Sequence, residues 1–222
     1  MTPHHVVSLV EDPEAVAKRR KQIVRAATEL FSAQGFFGTT MKEVAKAAGI
    51  SAGLVYQYVR EKDDVLLLVL LDVLGAYRRE IPLALDGVTD PLQRLVTSVS
   101  AYCQVVDKNR AATVLAYRST KSLAPAKRKI VQEHEVETNE IIAAEVRNCI
   151  RLGLIEQTNA ELLTYQMVMI AHAWALKSWY FKPIVSLDEY IEQTIRTVFV
   201  GVLTPSGRRV LDKKKQAARK KA

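Results

Sequence analysis

The chain has 222 residues, of which 49% are hydrophobic and 25% are charged, which is typical of a globular protein with a sizeable core. Charged residues interrupt every long hydrophobic run, and the N-terminus lacks the pattern of a secretory signal, so we expect a cytoplasmic protein without a membrane partner. The formal net charge of +8 comes from the two ends: residues 18–62 hold nine Lys or Arg against three acids, residues 66–204 hold fifteen of each, and residues 205–222 hold eight against one. A polyanionic partner is therefore expected to meet the ends of the chain.

The beginning of the sequence predicts an arm and a first helix. Residues 1–17 show no helical period, so we expect a flexible arm. From Lys18, apolar residues recur at spacings of three, four and seven up to Phe31, which is the pattern of one helix face. Gly35 follows the last of these positions and is expected to end the helix as a left-handed cap.

Two further short helices are predicted, joined by the turn AAGIS. Thr40 and Glu43 have the spacing of a capping box, and Gly49 ends the helix that they begin. Ser51 begins the third helix. The small residues of the turn allow the two helices to approach closely, which is the arrangement of a helix-turn-helix unit, and its second helix can lie in the major groove of DNA.

The third predicted helix has an uncharged outer face. Val55 and Val59 lie four residues apart and are expected to face the core, which leaves small and aromatic side chains outside. Such a face suits DNA better than water, because Gly53 allows close approach, Gln57 can pair with adenine and hydroxyl groups can donate to phosphates. Free amides at the start of the second helix are expected to bind a phosphate as well. The candidate DNA-binding residues are Thr39, Thr40, Lys46, Ser51, Ala52, Gly53, Leu54, Tyr56, Gln57, Tyr58 and Lys62.

The rest of the sequence predicts further helices. A fourth begins at Lys62, with two acids in its first turn, and continues to about Tyr77. Pro82 and the segment DGVTDP are expected to break the chain again. Asp90 and Pro91 then form the cap and the first position of a fifth helix. Further helices are predicted at 110–122, 125–152, 159–181 and 187–203.

The predicted fold is all-α, because no segment shows the alternation expected of a β-strand. A three-helix helix-turn-helix domain precedes a larger C-terminal helical domain for ligand binding and dimerisation. Residues 19–22, RRKQ, fit either a solvated helix start or an arm that follows phosphates. The predicted divisions are a flexible arm at 1–17, a DNA-binding domain at 18–62, a ligand-binding and dimerisation domain at 63–204 and a basic disordered tail at 205–222.

The stretch IVRAATELFSAQGFFGTTMKEVAKAAGISAGLVYQYVREKDDVL, residues 23–66, resembles the DNA-binding domain of the TetR family of bacterial repressors. The resemblance implies a homodimer whose C-terminal domain binds a small effector and thereby releases operator DNA. Val59 departs from the family pattern, in which many members have Phe, and this change is expected to affect packing. The resemblance also implies phosphate contacts at Thr40, Tyr56 and Lys62 and base contacts at Ala52, Gly53 and Gln57.

The last two predicted helices, 159–181 and 187–203, carry wider apolar faces than one core needs, which suits a four-helix dimer interface. Polar and aromatic side chains inside otherwise apolar helices are candidate effector contacts, although each also fits a satisfied core or interface residue. Arg118 in particular is costly to bury without an anionic ligand or a salt bridge to a nearby glutamate. The candidate ligand-binding residues are Tyr102, Tyr117, Arg118, His134, Trp174 and Trp179.

A second resemblance concerns the effector. The stretch VLAYRSTKSLAPAKRKIVQEHE and the later WYFKP are similar to TetR-like regulators of fatty-acid or sterol breakdown. This resemblance implies a small hydrophobic effector of the acyl-CoA type, whose phosphates would meet basic residues.

Other classes of function have less support in the sequence. It contains no Gly-rich phosphate loop and no nucleophile elbow, and its histidines are isolated or, like His4 and His5, lie in the predicted arm. We therefore expect no enzyme activity, no cofactor and no metal site, with Cys103 and Cys149 as reduced core residues. The alternative is a non-specific nucleic-acid-binding protein attracted by its basic termini, which would bind all duplexes equally.

Overall fold

The computed structural model describes residues 6–211. Within them the secondary structure is helical, with one isolated antiparallel bridge between Ile155 and Leu203, so the all-α prediction is confirmed. Two parts of the chain lie outside the described residues. They are residues 1–5 of the predicted arm, which include His4 and His5, and the tail from residue 212. The helices are α1 (Pro13–Gln34), α2 (Met41–Ala47), α3 (Ala52–Tyr58), α4 (Lys62–Leu85), α5 (Pro91–Lys108), α6 (Arg110–Ser119), followed by a 3-10 turn (Thr120–Ser122), α7 (Pro125–Arg151), α8 (Ala160–Leu176), α9 (Ser178–Phe181) and α10 (Leu187–Val202).

The prediction of an arm up to residue 17 is wrong, because α1 begins at Pro13. Asp12 caps this helix by accepting hydrogen bonds from the backbone amides of Glu14 at 2.9 Å and Ala15 at 3.4 Å. Proline at the first helical position is already in a helical conformation and has no amide to satisfy. Upstream of this cap, Val6 is buried.

Helix α4 continues to Leu85, past the proline that was expected to break it. Pro82 removes one intrahelical hydrogen bond, but Ile81 and Leu85 are buried and hold the last turn in place. Conversely, the helix predicted at 159–181 is two helices, α8 and α9, which Lys177 separates.

The beginning of the predicted disordered tail is helical, at residues 205–211. Thr204 fixes the start of this segment, because its backbone amide donates to Leu154 O at 3.1 Å and its hydroxyl donates to Gly153 O at 2.7 Å. Gly207 is buried so closely against Leu154 that a Cβ atom at this position would clash with it. The prediction of disorder is therefore wrong for these residues.

The chain packs as two compact units, each made from two parts of the sequence. The first contains the described residues up to Ala76 together with Asn109–Glu135. The second contains Tyr77–Lys108 together with the described residues from Val136 to residue 211. This division differs from the predicted one, in which the first domain ends at residue 62.

The hydrophobic run at the start of α4 explains the difference. Residues 65–71 are all buried, and they join one core cluster with Ile23 and Phe31 of α1 and with Leu115 of α6. Helices α1, α2 and α3 have too little apolar surface to form a core by themselves. The run that was expected to open the ligand-binding domain therefore completes the core of the helix-turn-helix unit.

The core of the second unit includes polar side chains that are hydrogen-bonded to each other. Trp174 on α8 is buried, and its Nε1 donates to Asp107 Oδ1 at 2.7 Å. The Tyr102 ring stacks on Tyr77 with centroids 4.2 Å apart, and its hydroxyl lies 3.0 Å from His172 Nε2. Burial lowers the pKa of His172 to about 4, so the imidazole is neutral at physiological pH.

The two cysteines are core residues, as the sequence predicts. Cys103 and Cys149 are both buried and free. Burial raises the pKa of each thiol to about 12. Both are therefore protonated at neutral pH and poor nucleophiles.

Candidate nucleic-acid interface

Helices α2 and α3 form a helix-turn-helix pair at the surface of the first unit. Gly49 has φ of 69° in the turn, a conformation that glycine adopts without strain. The Ile50 amide closes the turn by donating to Ala45 O at 3.0 Å. Val44 and Val55 are fully buried, so each helix is attached to the core by its inner face.

The N-terminus of α2 carries a complete capping box. The amide and hydroxyl of Thr40 both donate to Glu43 Oε2, at 2.7 and 2.8 Å, and the Glu43 amide donates to Thr40 Oγ at 3.3 Å. The hydrogen bonds from the Thr40 backbone and side chain lower the pKa of the Glu43 carboxyl. The capping box therefore already binds the amides of Thr40 and Glu43, while the Thr40 residue stays exposed.

The outer face of α3 is accessible and uncharged. Gly53, Tyr56 and Gln57 are exposed, and Ala52 and Leu54 are half-buried beside them. A Cβ atom at Gly53 would meet no atom within 4 Å, so the space over this residue is open for a partner.

Two of the predicted contact residues point into the protein. Tyr58 is buried because it lies three residues after Val55, on the same side of α3. Thr39 is fully buried, and its hydroxyl donates to Gly35 O at 2.8 Å. The Thr39 hydroxyl is therefore not available to a phosphate, and that prediction is corrected. Burial of Tyr58 corrects its expected place on the outer face of α3, while a phosphate contact of its hydroxyl stays a prediction.

Lys62 was expected to bind phosphate, but its ammonium group is engaged within the protein. Nζ donates to Phe36 O and to Thr39 O, each at 2.9 Å, and lies 4.6 Å from the centre of the Phe36 ring. Lys62 therefore fastens the start of α4 to the loop between α1 and α2.

The remaining candidates lie together on the surface of one unit. Ser51 caps α3 by accepting a hydrogen bond from Leu54 N at 3.1 Å, and its side chain is exposed. The exposed candidates that the structure brings together are Thr40, Lys46, Ser51, Gly53, Tyr56 and Gln57.

The sequence-based prediction did not include the N-terminal segment that contacts α3. Leu9 N donates to Gln57 O at 2.8 Å, and Ser8 Oγ donates to the same oxygen at 3.1 Å. Asp12 and Pro13 are the sequence feature that could have indicated this segment. A capping residue followed by proline marks the start of a helix, so the residues before Asp12 lie outside α1 and can contact other elements.

The six candidate effector residues are divided between the two units. Tyr117, Arg118 and His134 belong to the first. Arg118 was expected to be buried and to need an anionic partner that offsets the cost of removing its charge from water. The side chain is exposed, so this expectation is wrong. Tyr117 is 44% exposed.

The other three candidates belong to the second unit. Tyr102 and Trp174 are buried and hydrogen-bonded, which also fits satisfied core residues. Trp179 is 73% exposed on α9.

Residues 6–211 offer neither a metal-ion cluster nor a membrane-spanning helix. No group of three or more His, Cys, Asp or Glu side chains in this range could hold a metal ion. None of the helices in the same range has the length and apolar character needed to cross a membrane.

Comparison with known proteins identifies similar sequences along most of the chain. A family model for bacterial regulatory proteins, tetR family, matches residues 23–69, and one for a tetracyclin repressor-like C-terminal domain matches residues 88–199. The HTH-type transcriptional regulator HbdR of Aromatoleum sp. (strain CIB) is 46% identical over 213 residues, which are 96% of this chain and 93% of HbdR. The HTH-type transcriptional repressor KstR2 of Rhodococcus jostii (strain RHA1) is 26% identical over 202 residues, covering 88% and 96% of the two chains.

Solved structures share the fold. AibR, in complex with isovaleryl coenzyme A and operator DNA, has a TM-score of 0.70 at 15% identity and covers 82% of this chain and 98% of its own. The ketosteroid transcriptional regulator KstR2 of Mycobacterium tuberculosis has a TM-score of 0.68 at 17% identity, with 90% and 100% coverage. With a helix-turn-helix unit, both family models and a relative at 46% identity, the chain belongs to the TetR family: it is a DNA-binding transcriptional regulator and not an enzyme.

Proposed function

We propose that the chain is a homodimeric repressor that leaves its operator when a small hydrophobic effector of the acyl-CoA class binds the C-terminal domain. The observation that carries the DNA-binding part is the open, uncharged outer face of α3, with Gly53, Tyr56 and Gln57 exposed. Base edges offer hydrogen-bond partners and apolar contacts to such a face, whereas a face exposed only to water is normally charged.

An exposed apolar surface on α8 and α10 supports dimerisation. Leu162 and Met169 on α8 are 59% and 49% exposed, although they repeat with the period of one helix face. They line a shallow groove with Val198 and Val202 of α10. Burial of this surface against a second copy would form a four-helix interface, and its two-fold symmetry would place two α3 helices on two half-sites.

The acyl-CoA class rests on the second sequence resemblance and on one fold neighbour, and the repressor role rests on a sequence relative. AibR is a fold neighbour that binds isovaleryl coenzyme A together with operator DNA. KstR2, a repressor, matches most of the chain in sequence. AibR thus supports the class of effector, KstR2 supports repression, and the acyl group is left to experiment.

Binding to the DNA upstream of the protein's own gene tests the proposal. At fixed salt, the affinity for this DNA is expected to exceed the affinity for a random duplex by at least about 10³-fold. Equal affinities would instead support the non-specific nucleic-acid-binding protein attracted by its basic termini.

The effector is tested on the same complex. A series of acyl-CoAs is added, with the matching free acids and free coenzyme A as controls. We expect an acyl-CoA to release the operator and to raise the melting temperature of the free protein, since a ligand that binds the folded state stabilises it. Release by a free acid alone would contradict the acyl-CoA class but leave the repressor proposal intact.

A further inference from the structure

The C-terminal end of α3 lacks a left-handed capping turn. Val59 follows the helix in an extended conformation, with φ of −147° and ψ of 146°. The last carbonyl groups of a helix have no partner inside it, so they must be satisfied from outside. The Val59 amide donates to Val55 O at 3.2 Å. The carbonyls of Gln57 and Tyr58 obtain their partners from distant parts of the chain.

The Gln57 carbonyl is held by the N-terminal segment. It accepts hydrogen bonds from Leu9 N at 2.8 Å and from Ser8 Oγ at 3.1 Å. Ser8 Oγ also accepts a hydrogen bond from Val10 N at 3.1 Å, which fixes the segment in this shape. The Leu9 side chain is 74% exposed, so Leu9 contacts α3 chiefly through its backbone amide.

The Tyr58 carbonyl is held by Arg20 of α1. Arg20 Nε and Nη2 donate to Tyr58 O at 3.1 and 3.0 Å, and Nη2 also donates to Val6 O at 2.6 Å. Arg20 is only 6% exposed, and a buried guanidinium group needs such partners to offset its desolvation. A cation is also favourable at the C-terminal end of a helix. One side chain thus connects α1, the N-terminal segment and α3.

We infer that Ser8, Leu9 and Arg20, here called the α3 clamp, are positioning residues that enable the protein to discriminate its operator from other DNA. The inference rests on the proposed function of α3 as the DNA-recognition helix. Helix α3 has only seven residues, and a helix of that length is not stable alone, so its orientation depends on its buried face and on the clamp. Hydrogen bonds to base edges carry the sequence information and need a fixed orientation of α3, whereas phosphate contacts are the same on every duplex.

The test compares variants of the full chain on the operator and on a random duplex at one salt concentration. Leu9→Pro removes the amide that bonds Gln57 O, Ser8→Ala removes the hydroxyl, and the double variant removes both. Loss of these two bonds is expected to lower operator affinity about tenfold and to leave affinity for random DNA unchanged. Val7→Ala changes a neighbouring exposed apolar residue outside the clamp, and it is expected to keep both affinities.

Leu9→Ala distinguishes the role of the Leu9 amide from that of its side chain, because it removes the side chain and keeps the amide. This variant is expected to keep the ratio of operator affinity to random-DNA affinity. Hydrogen exchange of the α3 amides is expected to accelerate in the double variant more than that of the α2 amides. The inference would be overturned if the double variant kept the wild-type ratio of operator affinity to random-DNA affinity. It would also be overturned if Leu9→Ala and Leu9→Pro lost equal amounts of operator affinity. A wild-type protein that fails to discriminate would refute the proposed function instead, so the two failures are distinguishable.

Discussion

At the scale of single residues, Lys62 illustrates how one charge can serve the fold rather than a ligand. Its ammonium group donates to the carbonyls of Phe36 and Thr39 and covers the Phe36 ring. These bonds fix the loop that precedes α2, and therefore the position at which Thr40 begins that helix. The effect of Lys62 on DNA binding is thus expected to be indirect.

Substitution of this lysine tests the indirect role. Lys62→Met is expected to reduce the free energy of unfolding by roughly 1.5–3 kcal/mol, the range for hydrogen bonds to a charged group. The salt dependence of DNA binding should stay the same, because no phosphate contact is lost. Lys46→Met, at an exposed position on α2, is the control and should reduce the salt slope without changing stability. A reduced salt slope in Lys62→Met would instead support the phosphate contact that the family resemblance implies.

Two neighbouring residues on α3 are expected to act differently on DNA. Gln57→Ala should relax base preference, because a bidentate contact with adenine discriminates by about 1–3 kcal/mol. Tyr56→Phe should weaken binding to all sequences by a similar factor, because a phosphate contact carries no sequence information. Competition between the operator and single-base variants of it measures both effects. Unchanged operator binding in both variants would contradict the proposed orientation of α3.

His172 makes the stability of the second unit depend on pH. Its pKa is about 4 in the folded protein, below the ordinary value of 6.5, because burial disfavours the charged form. The unfolded chain therefore takes up a proton below about pH 6.5 while the folded chain does not, so stability falls as the pH drops from about 6.5 to about 4. The expected loss is on the order of 3 kcal/mol. Thermal melting between pH 7.5 and 4 should show a smaller loss in His172→Asn, and an equal loss would assign the effect to other groups.

At the scale of elements, α7 is anchored to the start of α4 within the first unit. Lys127 Nζ lies 2.6 Å from both Asp64 Oδ1 and Glu61 Oε1, and Asp64 Oδ2 accepts hydrogen bonds from the amides of Arg60 and Glu61. Burial alone would lower the pKa of Lys127, but the hydrogen bonds to Asp64 and Glu61 outweigh it and raise the pKa. The carboxylate of Asp64 thus holds the α3–α4 connection and the first turn of α7 at once.

A double-mutant cycle measures this connection. Lys127→Met is expected to cost roughly 1.5–3 kcal/mol of unfolding free energy, because the Asp64 carboxylate is 7% exposed and loses its cationic partner. Asp64→Asn combined with Lys127→Met should cost less than the sum of the single changes, since the two residues interact directly. Lys129→Met, which removes an exposed pair with Glu133, is the control and should change stability by less than 1 kcal/mol. Additive effects would mean that the pair contributes no coupling.

At the scale of the whole molecule, the proposed dimer determines how two recognition helices meet DNA. Leu162 and Met169 line the groove of α8 and α10 and are both exposed in the single chain. Charged residues are depleted from the centres of such interfaces, because they are costly to desolvate without a partner.

A charge in this groove should therefore separate the subunits. Met169→Arg is expected to shift the protein from dimer to monomer in light scattering at micromolar concentration and to reduce operator affinity at least tenfold. Leu83→Arg is the matched control, because Leu83 is also an exposed apolar helix residue, at 75%, and lies on α4 outside the groove. A dimeric Met169→Arg protein would exclude this face as the interface.

The sequence by itself determined the all-α class, the positions of most helices, the helix-turn-helix turn and the uncharged outer face of α3. These features follow from patterns within a few residues: apolar spacing, the capping box at Thr40 and Glu43, and Gly49 in the turn. Such patterns act through the local backbone, so they can be recognised without knowledge of distant contacts.

Only the tertiary structure decided how these elements are held together. Lys62 meets the Phe36 carbonyl, Leu9 meets the Gln57 carbonyl, and the start of α4 completes the core of the first unit. A backbone carbonyl is present at every residue, so no sequence pattern shows which one a distant donor will reach. Specific long-range packing selects the partner, and it also decides which polar side chains remain exposed for DNA.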